Sequence, residues 1–200
     1  MILYLHGFLS SPGSAKAGLL RAALEREAQA DDFLCPQLPV SPRATAELLL
    51  ALAQLEDPQR LSLIGSSLGG YYATWLAERL GCRAVLLNPA VRPYDFLGVQ
   101  FGGQGEPAQR ALGEVRPEHL DELRALETGG VTDPVRYLLI AATGDEVIDY
   151  RLMVEKYAAC TLRIVAGSDH ALSDFAHYLP EVLRFCAASR ATGGGQCASS

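Results

Sequence analysis

A chain of 200 residues with 49% hydrophobic and 20% charged side chains can build one globular domain with a substantial core, and is too short for a second full one. Its formal net charge of −6 comes from interspersed acidic and basic residues, so no basic stripe calls for nucleic acid or an anionic membrane. Small soluble molecules are the expected partners, and nothing in the composition sets an oligomeric state. Met1 runs directly into Ile2-Leu3-Tyr4-Leu5 and His6-Gly7, without the basic start of a signal peptide or the apolar length of a membrane span. The five cysteines are odd in number, scattered and without a Cys-x-x-Cys pair. That pattern points to reduced thiols in a cytoplasmic protein rather than to a disulfide framework or a zinc site.

Ile2 to Leu5 reads as a short strand. A helix over Ser14 to Ala28 follows, with Ala17, Leu20, Ala23, Leu24 and Ala28 at helical spacing. Phe33-Leu34-Cys35 is a second strand, closed by Pro36. Ser41-Pro42 opens the next helix as N-cap and first-turn proline, Leu48, Leu52 and Leu55 are its expected apolar face, and Asp57-Pro58 stops it. Leu61 to Ile64 is the central strand. The helix after it buries Leu68, Tyr72, Trp75, Leu76 and Leu80 and ends on Gly81 as a left-handed cap. Arg83 to Leu87 is a fourth strand. From Pro89 to Pro134 prolines and glycines interrupt the pattern, and only short stretches such as Pro117 to Leu126 look helical, which reads as an inserted cap. Tyr137 to Ala142 and Thr161 to Val165 are the last strands, with a helix from Tyr150 to Ala158 between them and a closing helix after Pro180. The alternation predicts an α/β fold with a parallel sheet of about six strands and helices on both faces. Residues 191–200, Ala-Thr-Gly-Gly-Gly-Gln-Cys-Ala-Ser-Ser, have nothing to bury and read as a disordered tail after a single domain over residues 1–190.

Chemistry concentrates at the central strand. Gly65, Ser67 and Gly69 fall at the G-x-S-x-G spacing of a nucleophile elbow, in which a strained turn between strand and helix presents a serine hydroxyl above the sheet. The alternative is a glycine-rich turn that binds phosphate or merely packs. No Gly-Lys-Ser/Thr ends the turn, and the glycines lack dinucleotide-binding spacing. A serine nucleophile needs a base near the end of the chain and an acid between them. His170 follows the last strand in Gly167-Ser168-Asp169-His170 and fits that place. Asp145, directly after Gly144, is the preferred acid among Asp145, Glu146 and Asp149. Asp149 is better explained as a helix N-cap, Glu146 as a solvated neighbour, and Asp169 as holding the histidine loop. The amides of Leu68 and Phe8, with Leu9 second, are the expected oxyanion hole. His6 is expected to order its loop. Arg92, Tyr94 and Phe96, with Leu97 and Phe101, are candidate substrate contacts; the alternatives are a structural ion pair for Arg92 and cap packing for the others.

His6-Gly7-Phe8 with Ser10-Ser11-Pro12, Ser14-Ala15-Lys16-Ala17, Pro36-Gln37-Leu38-Pro39, Gly65 to Ala77, Asn88-Pro89-Ala90-Val91-Arg92-Pro93, Thr143-Gly144-Asp145-Glu146-Val147 and His170 together resemble the YqiA-like small esterases of the α/β-hydrolase superfamily, over Met1 to about residue 186. The resemblance implies a minimal α/β-hydrolase fold without the superfamily's first two strands, activity on acyl esters or thioesters, a triad of Ser67, Asp145 and His170, and no cofactor or metal. The expected function is therefore that of a carboxylesterase or acyl thioesterase. A non-catalytic binding protein on the same scaffold, and a peptidase or lactonase using the same residues, are the alternatives. A cysteine hydrolase is disfavoured because the elbow carries Ser67.

Overall fold

A computed structural model describes residues 1–95 and 116–188. Its strands are β1 (Ile2–Leu5), β2 (Phe33–Leu34), β3 (Ser62–Ser66), β4 (Arg83–Leu87), β5 (Tyr137–Ala142) and β6 (Thr161–Val165). They form one six-stranded sheet in the order β2-β1-β3-β4-β5-β6, and every neighbouring pair is parallel. The chain moves outward from β1 to β2, then crosses back to place β3 on the other side of β1. That reversal opens a crevice beyond the carboxyl ends of β1 and β3, the place where open parallel sheets bind their ligands.

Alternation along the strands feeds two separate cores. Leu3, Leu63, Leu86 and Leu139 point to one face and are covered by α2 (Pro42–Ala53), α3 (Leu68–Leu80), α4 (Glu118–Ala125) and α5 (Tyr150–Lys156). Tyr4, Ile64, Val85 and Ile140 point to the other, under α1 (Ala15–Arg26) and α6 (Leu179–Ala187). The central strands are apolar on both sides for this reason. The expected parallel sheet with helices on both faces is what forms.

Two local readings are corrected. The apolar face of α2 is Thr45, Ala46, Leu49 and Ala53, whereas Leu48 and Leu52 are half-buried and Leu55 is 78% exposed. Leucines fill positions 48, 49, 50 and 52, so two helical stripes one residue apart were both apolar. The helix also ends at Ala53, which leaves Leu55 beyond it. α1 stops at Arg26 because Ala28 takes φ 55. Gln29 N–H donates to Leu24 O at 2.8 Å and Ala28 N–H to Glu25 O at 3.1 Å, a Schellman ending with alanine where glycine is usual. Gly81 caps α3 at φ 74 as expected. The middle of the expected cap and the expected tail lie outside the described residues. No described helix is long and apolar enough to cross a membrane.

Candidate active site

Ser67 sits between β3 and α3 with φ 54 and ψ −120, a conformation that costs a non-glycine residue about 1–3 kcal/mol. The neighbours hold it there. Its N–H donates to Leu87 O at 3.0 Å, while its carbonyl accepts from Gly70 N–H at 2.9 Å and Ala90 N–H at 3.0 Å. Close approach explains both glycines of the motif. A Cβ at Gly65 would press into the Gly69 carbonyl and lie 2.6 Å from Gly70 Cα, and one at Gly69 would press into the Leu5 carbonyl of β1. The first contact is crowding across the turn itself; the second comes from the neighbouring strand.

Although Ser67 occupies the N-cap position of α3, its side chain does not cap the helix. It bonds instead to His170, with Ser67 Oγ and His170 Nε2 3.0 Å apart. His170 Nδ1 lies 2.8 Å from Asp145 Oδ2 and 3.0 Å from Oδ1. An ionised carboxylate only accepts, so the proton is on Nδ1, and Nε2 is the acceptor for the serine hydroxyl. The structure thus brings Ser67, His170 and Asp145 into one hydrogen-bonded chain across strands β3, β5 and β6.

The loops carrying Asp145 and His170 are stitched together. Thr143 N–H donates to Val165 O at 2.8 Å and Gly144 N–H to Gly167 O at 2.9 Å, and Gly167 N–H donates to Thr143 Oγ1 at 3.0 Å. A Cβ at Gly144 would run into the Ser168 carbonyl, which accounts for the glycine before the acid. Asp149 caps α5 by accepting from Arg151 N–H, and Asp169 accepts from Ser173 N–H at 2.8 Å and from its hydroxyl at 2.5 Å. Both are as expected. Glu146 is not merely solvated: its Oε2 accepts from His170 N–H at 3.0 Å. Lys16 Nζ adds a bond to Ala171 O on the same loop.

The Asp145 side chain is fully buried. Burial alone pushes its carboxyl pKa up, but hydrogen bonds from His170 and from the amides of Ile148 and Val147, with the His170 charge, outweigh it and hold the pKa below the ordinary value. A carboxyl lowered by folding stabilises the protein fully above its unfolded pKa of about 3.9, and that contribution disappears as pH falls through the lower folded value. The difference in unfolding free energy between wild type and Asp145→Asn is therefore expected to hold level near pH 5 to 6 and to shrink toward pH 3 in urea titrations. A difference that grows on acidification contradicts this.

Gly7 brings the loop after β1 against the serine: a Cβ there would lie 3.3 Å from Ser67 Cβ and 3.9 Å from Oγ. The loop turns at once, with Ser10 N–H donating to Gly7 O at 3.2 Å and Leu9 at φ 57. His6 orders it as expected. Leu38 N–H donates to His6 Nε2 at 3.1 Å, so the proton is on Nδ1, which lies 2.9 Å from Gly7 O. Burial pulls the His6 pKa down, more than the Gly7 bond raises it, and favours this neutral form. Between this loop and the start of α3 lies a small cleft, partly open to solvent, lined by Phe8, Leu38, Pro39, Val40, Leu68 and Tyr72 among others. Leu68 is the first residue of α3, so its amide has no acceptor within the helix.

The uncharacterised protein family UPF0227 matches residues 1–187 of the chain. The chain belongs to this family. It is the YqiA-like family that the sequence motifs resemble. A UPF0227 protein of Shewanella woodyi is 25% identical over 161 residues, covering 78% of this chain and 82% of the relative. Among solved structures, mouse alpha/beta hydrolase domain-containing protein 10 superposes with a TM-score of 0.67 at 16% identity, over 96% of this chain and 89% of that one. Est1E from Butyrivibrio proteoclasticus, with ferulic acid bound, gives 0.64 at 16% identity, over 95% and 89% of the two chains. At such identities the likeness shows the fold, which is the α/β-hydrolase fold.

In this UPF0227 chain the expected substrate contacts of the cap are engaged elsewhere. Arg92 Nε pairs with Asp95 Oδ2 at 2.9 Å and is largely exposed. Tyr94 is buried, its hydroxyl lies 2.5 Å from Glu127 Oε2, and Arg124 stacks on its ring. Neither lines the cleft. Phe96, Leu97 and Phe101 lie outside the described residues. Among the described residues no cluster of His, Cys, Asp and Glu could hold a metal ion. Sequence reasoning missed Glu146 and Asn88 as partners of the histidine loop. Asn88 was visible only as an asparagine after a strand, before a proline, and its φ of 42 could not be read from that.

Proposed function

We propose that the chain is a serine hydrolase of carboxylic esters or acyl thioesters, with Ser67 as nucleophile, His170 as general base and acid, and Asp145 orienting the imidazole. The observation that carries this reading is the pair of contacts on one ring: Nε2 3.0 Å from Ser67 Oγ and Nδ1 2.8 Å from Asp145 Oδ2. As Oγ attacks the substrate carbonyl, Nε2 takes its proton, and the ionised Asp145 stabilises the imidazolium. The carbonyl oxygen gains charge beside the N-terminal end of α3. The amides of Leu68 and Phe8, both on the cleft, are the proposed donors to it. His170 returns the proton to the leaving alcohol or thiol, and water activated by the same ring releases the acid.

The cleft along Phe8, Leu38, Val40 and Tyr72 is the proposed seat of the acyl chain, since it begins at the proposed oxyanion donors and its walls are mostly apolar. A serine rather than a cysteine enzyme is supported by the thiols themselves. Burial pushes Cys82 up to about 12 and Cys35 and Cys160 up to about 11, too high for thiolates at neutral pH. Such thiols also suit a reducing, cytoplasmic setting.

The test is turnover of p-nitrophenyl esters and acyl-CoA thioesters graded by chain length, with lactones and peptides alongside, for wild type and Leu38→Trp. Wild type is expected to hydrolyse esters or thioesters. Filling the cleft should lower kcat/KM for the longest accepted chain about tenfold or more, while the acetyl substrate changes less than about threefold. Folded wild type that turns over none of the esters or thioesters overturns the reading, and equal losses at all chain lengths overturn the assignment of the cleft.

A further inference from the structure

Asn88, directly after β4, is fully buried and adopts φ 42, in the left-handed region that asparagine tolerates better than most residues. Its hydrogen bonds run in three directions. The backbone N–H donates to Ile140 O at 2.9 Å. Side-chain Oδ1 accepts from Ala142 N–H at 2.8 Å. Nδ2 donates to Asp169 O at 3.0 Å and His170 O at 3.1 Å. Both amide protons are used, and the partners fix the amide orientation, because the reverse would set its oxygen against two carbonyls. Ala142 in turn accepts from Asp145 N–H at 3.3 Å. The residues that follow reach the remaining group: Pro89 packs where a Cβ on Gly70 would meet it at 2.7 Å, and Ala90 N–H donates to Ser67 O at 3.0 Å.

We propose that Asn88 is a positioning residue for the reaction: it ties the backbone at His170 to the end of β5, where Asp145 departs, and so sets the imidazole between Asp145 and Ser67. This rests on the reading of Ser67 and His170 as nucleophile and base. No other residue type meets all three demands. Aspartate lacks the donors, glutamine is a methylene longer, and a β-branched residue resists the positive φ. Without the amide, the carbonyls of Asp169 and His170 lose their shared donor and the loop can move relative to β5.

The experiment uses Asn88→Gly, which suits φ 42 and removes only the side chain, and Asn88→Asp, which keeps the acceptor for Ala142 and loses both donors. Folding is checked by circular dichroism, kcat and KM are measured on the best substrate, and the low-field proton signal of His170 Nδ1–H is followed by NMR. Displacements on the order of 1 Å at reacting groups cost about 100-fold in rate, so both variants are expected to fold, to lose about 100-fold in kcat with KM within about threefold, and to lose or broaden the low-field signal. Activity within about twofold of wild type with the signal intact overturns the proposal, as does a rise in KM at constant kcat. If wild type itself turns over no substrate, the hydrolase reading fails separately, and the NMR signal still decides whether Asn88 holds the ring. If Asn88→Gly does not fold, Asn88→Asp decides by the same readouts.

Discussion

Ser67→Ala is expected to lower kcat by about 10³-fold or more while leaving the fold and substrate binding in place, as loss of a nucleophile does in serine hydrolases. The reason lies in the local geometry. Oγ makes no cap to α3 and bonds to His170 Nε2, so removing it costs the helix nothing and leaves the backbone of the elbow intact. Alanine at φ 54 carries the same strain as serine. Glycine does not, and Ser67→Gly is therefore expected to be about 1 kcal/mol more stable than Ser67→Ala and equally inactive. Steady-state kinetics with urea denaturation of both variants checks this. Ser67→Ala with activity within tenfold of wild type removes Ser67 from the mechanism, whatever its conformation.

Gly65→Ala is expected to be severely damaging for so small a substitution, at about 3 kcal/mol or more. The added Cβ meets backbone, the Gly69 carbonyl and Gly70 Cα at 2.6 Å, and backbone in the first turn of a buried helix has nowhere to go. The same change at Gly18 is the control. Gly18 lies within α1, is exposed, and has nothing within 4 Å of the added atom. There alanine improves helix propensity and is expected to raise stability by about 1 kcal/mol. Thermal and urea unfolding of the two variants separates steric exclusion from propensity, and similar stabilities for both refute the steric argument.

The parts of this molecule that the sequence made legible are those whose cause is local. Strands β3, β4 and β5 are apolar on both faces, so short apolar runs identify them. Ser41-Pro42, Asp149 and Gly81 declare their roles as caps by chemistry that acts within one turn. Gly65, Ser67 and Gly69 sit at a spacing that steric contact imposes. What escaped depends on which partner lies opposite. The face of α2 was ambiguous because neighbouring leucines offer two stripes, and only the position of the sheet chooses Leu49 over Leu48. Glu146 and Asn88 act on His170 from 24 and 82 residues away, and no periodicity reports a hydrogen bond across that distance. Tyr94 looked available as an aromatic near the site, and only its pairing with Glu127 shows how it is used.

The order in which the chain supplies its reacting groups has a consequence for synthesis. The elbow and both strands beside it precede Asp145, and the ring proposed to accept the serine proton comes only after β6, the last strand in the chain and an edge of the sheet. A nascent chain made as far as α5 thus carries Ser67 and Asp145 without His170. On the proposed mechanism, a half-made chain is therefore not expected to be acylated by passing metabolites until β6 has docked and brought His170 to Ser67.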